Sequence, residues 1–199
     1  MLKKLLFFIC INLIIVNAQE KNFHFKGNLL TAPLGISNFG LEHNVHKKIT
    51  LQGEFLISPW KSFAKNHLQL YVGYFEGRYY FKESFKKLYI GPSVGLGFYD
   101  IQKWNYWNTD KFQRGYTILI GATVGYQMSF NNRWGLDIFI TGANSQGGYH
   151  GYKILDDNSI IRYDSATHFN RSGEWLISKA GIMLTYKLKT KNYNKKAQQ

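Results

Sequence analysis

Apolar and polar residues alternate at a period of two in the stretch ITLQGEFLIS, which runs from Ile49 to Ser58. This alternation is typical of a β-strand whose two faces meet different surroundings. A soluble sandwich would bury the apolar face and leave Glu54 in water. A membrane barrel would turn the apolar face to lipid and Glu54 to its own interior. The direction in which Glu54 points therefore separates two classes of protein.

The same alternation, interrupted by polar breaks, predicts eight β-strands in the 199-residue chain. Aromatic residues make up 17% of the chain and there are 19 glycines, a mixture that suits twisted strands joined by turns. The predicted strands cover residues 22–31, 36–45, 49–58, 70–81, 88–99, 115–128, 134–143 and 174–188. Pro92 lies within the fifth of them, so we expect a bulge or a break there.

The connections between these strands alternate in length along most of the chain. Short connections fall at 46–48, 82–87 and 130–133, and longer ones fall at 58–67, 100–113 and 144–173. The first connection, 32–35, is the short exception. Short turns at one end and long loops at the other are typical of outer-membrane barrels. The sequence therefore predicts an all-β fold, an eight-stranded antiparallel up-and-down transmembrane β-barrel over residues 19–188.

The cost of placing charge in lipid decides which face of each strand turns inward. This cost is roughly 2–4 kcal/mol for Arg or Lys near the middle of the bilayer. In YVGYFEGRYYF, Glu76 and Arg78 are two positions apart, so their side chains lie on the same face of the strand. Both should therefore point inward, while Tyr71 and Phe75 point outward. The same argument predicts a polar cluster in the lumen, made of Glu42, Glu54, Glu76, Arg78, Asp137 and Lys179. Buried charges need partners, so Arg78 should bridge at least two carboxylates.

Parity also assigns an outer face to the last predicted strand, WLISKAGIMLTYKL. With Lys179 inward, the outward residues are Leu176, Ala180, Ile182, Leu184 and Tyr186. These side chains would meet lipid.

The first 18 residues have the pattern of a cleaved signal peptide. Lys3 and Lys4 precede an apolar run over residues 5–16, and Ala18 supplies the small residue before the expected cleavage point. The run is too short to cross a membrane comfortably as a helix. Cys10, the one cysteine, would be removed with it, which excludes disulfides and cysteine-bound metals from the mature chain. We expect a protein of the Gram-negative outer membrane, with residues 189–199 as a basic disordered tail.

The net charge of +13 points to anionic partners. In this compartment they would be outer-membrane lipid and lipopolysaccharide, and no nucleic acid is expected. Aromatic residues near the long loops form a candidate surface for a protein or glycan partner. Its members are Trp60, Phe63, Trp104, Tyr106 and Trp107. An aromatic girdle at the membrane interface is the alternative interpretation of these residues.

Residues that could carry catalysis are few and poorly spaced. Ser145 with His150, and Asp164 and Ser165 with His168, offer a nucleophile and a base without the spacing of a triad. No two histidines have metal-ligand spacing on one strand face, so no metal and no other cofactor is expected. We expect a structural or interaction protein that presents loops to a partner or glycan. A lipid-modifying outer-membrane hydrolase or acyltransferase is one alternative, and a soluble periplasmic β-sandwich binding module is another.

Several stretches together resemble small outer-membrane β-barrels of Gram-negative bacteria. They are GNLLTAPLGISNFGLEHNVHKKITLQGEF, YFEGRYYF, YIGPSVGLGFYD, RGYTILIGATVGYQMSFNNRWGLDIFITG and KAGIMLTYKL. The chain is similar in particular to an uncharacterised "domain of unknown function" family of exported barrels. This resemblance implies an eight-stranded barrel in the outer membrane and no particular activity. The tail beyond Leu188 departs from the pattern, since many such barrels end on an aromatic residue.

Overall fold

The computed structural model describes residues 22–63, 66–102, 109–163 and 170–188. The predicted signal peptide and basic tail lie outside these ranges. Within them, the regular structure is β-strand, apart from a short 3-10 turn at Ala32–Leu34. No helix in the described part of the chain is long and apolar enough to cross a membrane.

Nine antiparallel strands form one sheet, and eight of them close into a ring. The strands are β1 (Phe23–Asn28), β2 (Ser37–Asn44), β3 (Ile49–Phe63), β4 (Asn66–Tyr80), β5 (Lys87–Ile101), β6 (Lys111–Ser129), β7 (Trp134–Ile154), β8 (Ile160–Arg162) and β9 (Asn170–Leu188). Strands β1 to β7 pair in sequence order, and β9 joins β7 to β1. The three-residue β8 pairs with the end of β7. The predicted all-β, antiparallel arrangement of eight strands is therefore confirmed, with β8 as an addition.

Several strands run further than expected at one end of the ring. The loop predicted at 58–67 is largely a hairpin, because β3 continues to Phe63 and β4 begins at Asn66. Likewise β7 reaches Ile154, well past the predicted end at 143. Backbone hydrogen bonds between neighbouring strands do not require apolar side chains. The strands can therefore continue beyond the segments in which apolar and polar residues alternate. We call this the loop end; the turn end is formed by residues 45–48, 81–86 and 130–133.

Pro92 interrupts one ladder without shifting its register. Pairing between β4 and β5 stops after Glu76↔Ser93 and resumes at Tyr79↔Ile90 in the same register. On the other side, Pro92 still pairs with Ala122. A proline has no N–H to donate, which explains the gap. The expected irregularity is thus a local break and not a bulge.

A β-bulge in β9 changes which side chains face the interior. Thr141 pairs with Lys179, but the next residue of β7, Gly142, pairs with Ile177, so Ser178 is the extra residue. The residues before the bulge consequently exchange faces. Leu176 now pairs with the buried Ala143, on the interior side, where it is 36% exposed, whereas Ile177 is outside and 66% exposed. The expectation that Leu176 faces outward is wrong because one inserted residue reverses the parity.

The distribution of polarity between the two faces of the ring is the reverse of a soluble core. Large apolar side chains lie exposed on the outside, such as Phe75 at 53% and Phe98 at 58%. The interior holds charged and polar groups, and Glu54 is among them, almost completely buried. The polar face of ITLQGEFLIS therefore points into the ring.

Candidate functional site

Arg78 lies at the centre of a buried charge cluster inside the ring. Its Nε donates to Glu76 Oε2 at 2.8 Å, and its Nη1 donates to Asp137 Oδ2 at 2.7 Å. The same Nη1 lies 3.5 Å from Glu42 Oε2. The guanidinium also stacks 4.6 Å from the ring centre of Tyr89. One side chain from β4 thus joins carboxylates carried by β2, β4 and β7.

Two lysines complete the ion pairing at opposite sides of this cluster. Lys26 Nζ lies 2.6 Å from Asp137 Oδ2 and also contacts Glu42. Lys179 Nζ lies 2.7 Å from Glu76 Oε1 and also contacts Glu54. Every carboxylate of the cluster therefore touches at least one cation, which offsets the cost of removing these charges from water.

Neutral donors use much of the remaining hydrogen-bonding capacity of the carboxylate oxygens. Tyr89 OH donates to Asp137 Oδ1 at 2.8 Å. Thr123 Oγ1 donates to Glu76 Oε1 at 2.8 Å, and Asn38 Nδ2 donates to Glu54 Oε1 at 2.8 Å. Such a densely bonded network resists rearrangement, because each group that moves must leave several partners.

The six residues predicted for the lumen cluster are brought together by the structure. Sequence reasoning missed Lys26, the seventh charged member. A signal for it existed in the segment NFHFKGN, where Phe23 and Phe25 alternate with His24 and Lys26. This signal is weak because the alternation is brief, with β1 only six residues long.

The candidate aromatic surface at the loop end is described only in part. Trp60 Nε1 donates to the carbonyl oxygen of Leu34 at 2.9 Å. Its ring lies against Gly35, where an added Cβ would come within 2.7 Å of it. Trp60 therefore holds the turn between β1 and β2 against β3. Phe63 ends β3, and its side chain is outside the described part, as are the three aromatic candidates at 104, 106 and 107.

A second cluster, unanticipated from the sequence, lies on the outer face at the loop end. Asp100 Oδ2 accepts hydrogen bonds from Arg114 Nη2 at 2.6 Å and Nε at 3.0 Å. His67 Nδ1 lies 3.3 Å from Asp100 Oδ1, and its ring stacks on Phe112 at 4.3 Å. Half of the Arg114 side chain is exposed, and its guanidinium lies 5.1 Å from the ring centre of Tyr152. This cluster borders a groove of about 500 Å³, so a positioned cation faces solvent there.

The turn end of the ring is closed by Phe85. The turn at 81–86 folds inward, and Phe85 is buried with its ring stacked on His24 at 3.9 Å. The positive φ of 67° at Phe85 is uncommon for a bulky residue and reflects this inward fold. Ser84 N donates to Lys47 O at 2.8 Å, which ties the turn to its neighbour.

The geometry separates the residues of one candidate catalytic pair. Ser145 is buried in the interior, and its Oγ lies 2.7 Å from Thr117 Oγ1. His150 has the opposite parity on β7 and therefore lies on the other face. The second candidate set, at 164, 165 and 168, falls outside the described residues. Within the described ranges, no group of three or more His, Cys, Asp or Glu side chains could hold a metal ion.

The geometry defines a class of protein, an all-β antiparallel ring with an apolar outside and an ion-paired interior. The family described as "Protein of unknown function (DUF3575)" matches residues 5–188, and the chain belongs to this family. No curated protein and no solved structure matches the chain. The match confirms the prediction that the chain belongs to an uncharacterised, strand-rich family. The family description assigns no activity.

Proposed function

We propose that this protein is an outer-membrane β-barrel of structural or interaction type, which presents its loop end to a partner or glycan. The observation that carries the proposal is the reversed distribution of polarity. Arg78 is fully buried inside, while Phe75 and Phe98 lie exposed outside. A soluble protein rarely exposes a continuous apolar surface of this kind, whereas a bilayer would cover it.

The height of the apolar outer surface supports this proposal. Outward apolar residues extend from Tyr71 to Tyr79 on β4, from Leu88 to Phe98 on β5 and from Tyr116 to Tyr126 on β6. Each stretch is close to the ~9–11 residues with which a tilted strand crosses a bilayer.

Aromatic residues also mark the two borders of this surface. Trp134 and Tyr186 pack with their ring centres 4.7 Å apart near the turn end, where Tyr126 lies beside Lys87. Tyr71 and Tyr116 lie towards the loop end. Such aromatic belts are found where β-barrels meet the two membrane interfaces.

The filled interior favours an anchoring or interaction role over conduction. An eight-stranded ring leaves an interior that side chains can fill. Here the ion pairs centred on Arg78, together with Lys26 and Lys179, occupy that space. An ion would have to break several of these contacts to pass.

The loop-end groove beside Arg114 is the described surface best suited to a partner. Arg114 is oriented by Asp100, and Tyr152 offers an aromatic face next to it. Lys61 lines the same groove. Basic groups beside aromatic rings suit phosphorylated glycans, and lipopolysaccharide is the candidate in an outer membrane.

Membrane fractionation combined with heat-dependent gel mobility tests the proposal. We expect the protein in the outer-membrane fraction, and we expect unboiled and boiled samples to give two bands, because a closed barrel resists detergent. A protein found in the soluble fraction, with one band in both samples, would refute the proposal and favour a soluble binding module. An altered lipid A mass in a deletion strain would instead favour the lipid-modifying enzyme.

A further inference from the structure

The turn end of the ring contains a polar pocket of about 340 Å³. It lies between the turn at 81–86, the turn at 130–133 and the adjoining ends of β1 and β9. The residues that border it and matter here are His24, Phe85, Lys86, Arg133 and Lys187. Phe85, which lines this pocket, also lies with its ring centre 6.3 Å from that of Tyr80, whose OH donates to Glu42 of the buried charge cluster.

Positive charge dominates the surroundings of the pocket. Lys86, Arg133 and Lys187 line it, and the one acidic residue among its described lining residues is Glu83. Lys86 Nζ donates to Glu83 at 2.8 Å, and this hydrogen bond lowers the pKa of Glu83 below its usual range. Further lysines at the same end are Lys47, Lys48, Lys82 and Lys87. A concave site lined by one sign of charge attracts counter-ions.

The position of Arg133 is set by its own turn. Asn131 Oδ1 accepts hydrogen bonds from the backbone N–H groups of Arg133 and Trp134, each at 2.9 Å. Lys187 N donates to Arg133 O at 2.8 Å, which attaches the turn to β9. The two basic residues are thus held next to each other by backbone contacts, and no ligand is needed to bring them together.

His24 lies at the border of the pocket. His24 is only 8% exposed, and its Nδ1 has no hydrogen-bond partner among the described residues. Buried polar atoms in folded proteins nearly always have a partner. The ring of His24 is fixed by stacking on Phe85 and borders the pocket. The ring therefore gives the pocket a fixed and largely buried wall.

We propose that this pocket binds a phosphate group. The guanidinium of Arg133 and the ammonium group of Lys187, with that of Lys86 shared with Glu83, match the several acceptor oxygens and the negative charge of a phosphate. The phosphate could belong to a phospholipid headgroup or be free in solution, and the chemistry at the pocket is the same. This inference goes beyond the proposed function and does not depend on it, because the pocket exists whether or not the ring crosses a membrane.

Titration calorimetry on the purified chain in an uncharged detergent tests the proposal. The probes are inorganic phosphate and short-chain phosphatidylglycerol, with short-chain diacylglycerol as the control that lacks phosphate. We expect saturable binding of at least one phosphate probe and none of diacylglycerol. Binding of inorganic phosphate identifies a free-phosphate site, whereas binding of phosphatidylglycerol alone identifies a headgroup site. No binding of either phosphate probe overturns the proposal.

Matched variants separate a built site from general attraction to a basic protein. Arg133→Gln with Lys187→Gln should weaken binding at least tenfold, and Lys111→Gln with Lys153→Gln, which removes equal charge at the loop end, should leave it unchanged. An equal loss in both pairs, or no loss in the first, overturns the proposal. Arg133→Gln alone changes an exposed turn, so it provides a variant that keeps the fold.

The two proposals fail in different ways. A soluble protein that binds phosphate through Arg133 would refute the membrane location and leave the pocket proposal standing. An outer-membrane protein that binds neither phosphate probe would refute the pocket proposal alone.

Discussion

Arg78 on β4 and Asp137 on β7 are 59 positions apart in the chain and meet inside the ring, with 2.7 Å between Nη1 and Oδ2. Both side chains are completely buried. Strands β5 and β6 lie between these two strands in the sheet, so this ion pair crosses the interior. It therefore contributes to the closed form of the ring and not merely to one hairpin.

Replacing Arg78 by Met should destabilise the protein strongly. Glu76 and Asp137 would each lose a charged partner while staying buried, and loss of one partner of a buried pair typically costs about 3–5 kcal/mol. Urea unfolding in detergent micelles, followed by tryptophan fluorescence, measures the change. Lys82→Met removes the same charge from an exposed turn and should shift the free energy of unfolding by less than about 0.5 kcal/mol. Equal stability of the two variants would mean that the buried cluster contributes little.

Lys26 should stabilise the same cluster, because it contacts both Glu42 and Asp137. Lys26→Met leaves Glu42 and Asp137 with Arg78 as their remaining cation. We expect the unfolding midpoint to fall clearly relative to Lys87→Met, which changes an exposed lysine at the start of β5. A Lys26→Met protein as stable as the Lys87→Met protein would show that Arg78 alone satisfies both carboxylates.

Replacement of Gly91 by a larger residue should destabilise the protein. A Cβ at Gly91 would overlap the carbonyl oxygen of Gly77 on β4, so Gly91→Ala must push two backbones apart. Overpacking of this kind typically costs about 1–3 kcal/mol. Gly53→Ala is the matched control, since nothing lies within 4 Å of its Cβ position. Comparison of the two unfolding curves gives the answer, and equal curves would mean that the sheet relaxes freely at Gly91.

The bulge at Ser178 can be detected by cysteine labelling. Ile177→Cys should react rapidly with an uncharged maleimide added to detergent-solubilised protein, because this position lies on the outside. Leu176→Cys should react more slowly, since it lies opposite Ala143 on the interior side. The reverse order of rates would mean that strict alternation continues through Ser178 and that the bulge is absent.

The groove beside Arg114 gives a prediction about lipopolysaccharide. Arg114→Gln should weaken binding of purified lipopolysaccharide several-fold, because it removes the half-exposed guanidinium held by Asp100. Surface plasmon resonance at two salt concentrations measures the affinity, and the salt dependence should decrease in the variant. Lys153→Gln removes the same charge at the loop end but outside the groove, and serves as the control. If both variants bind alike, the groove is not the site of contact.

Sequence reasoning was most effective where one physical cost dominated. The cost of charge in lipid, applied to the parity of YVGYFEGRYYF, predicted an inward Glu76 and Arg78, and the structure buries both inside the ring. Parity could not reveal the exchange of faces at Leu176, because a bulge depends on how β9 pairs with a distant strand. For the same reason, the cluster of His67, Asp100 and Arg114 gave no signal in the sequence.

The sequence by itself determined the all-β class, the alternating faces and the presence of inward charges, because these follow from local periodicity and from the cost of leaving a charge unpaired. Only the tertiary structure decided which charges meet. The pairing of Arg78 with Asp137, the partners of Lys26 and the pocket beside His24 bring together residues far apart in the chain. Their distances depend on ring closure and strand register, which are properties of the whole sheet and not of any single segment.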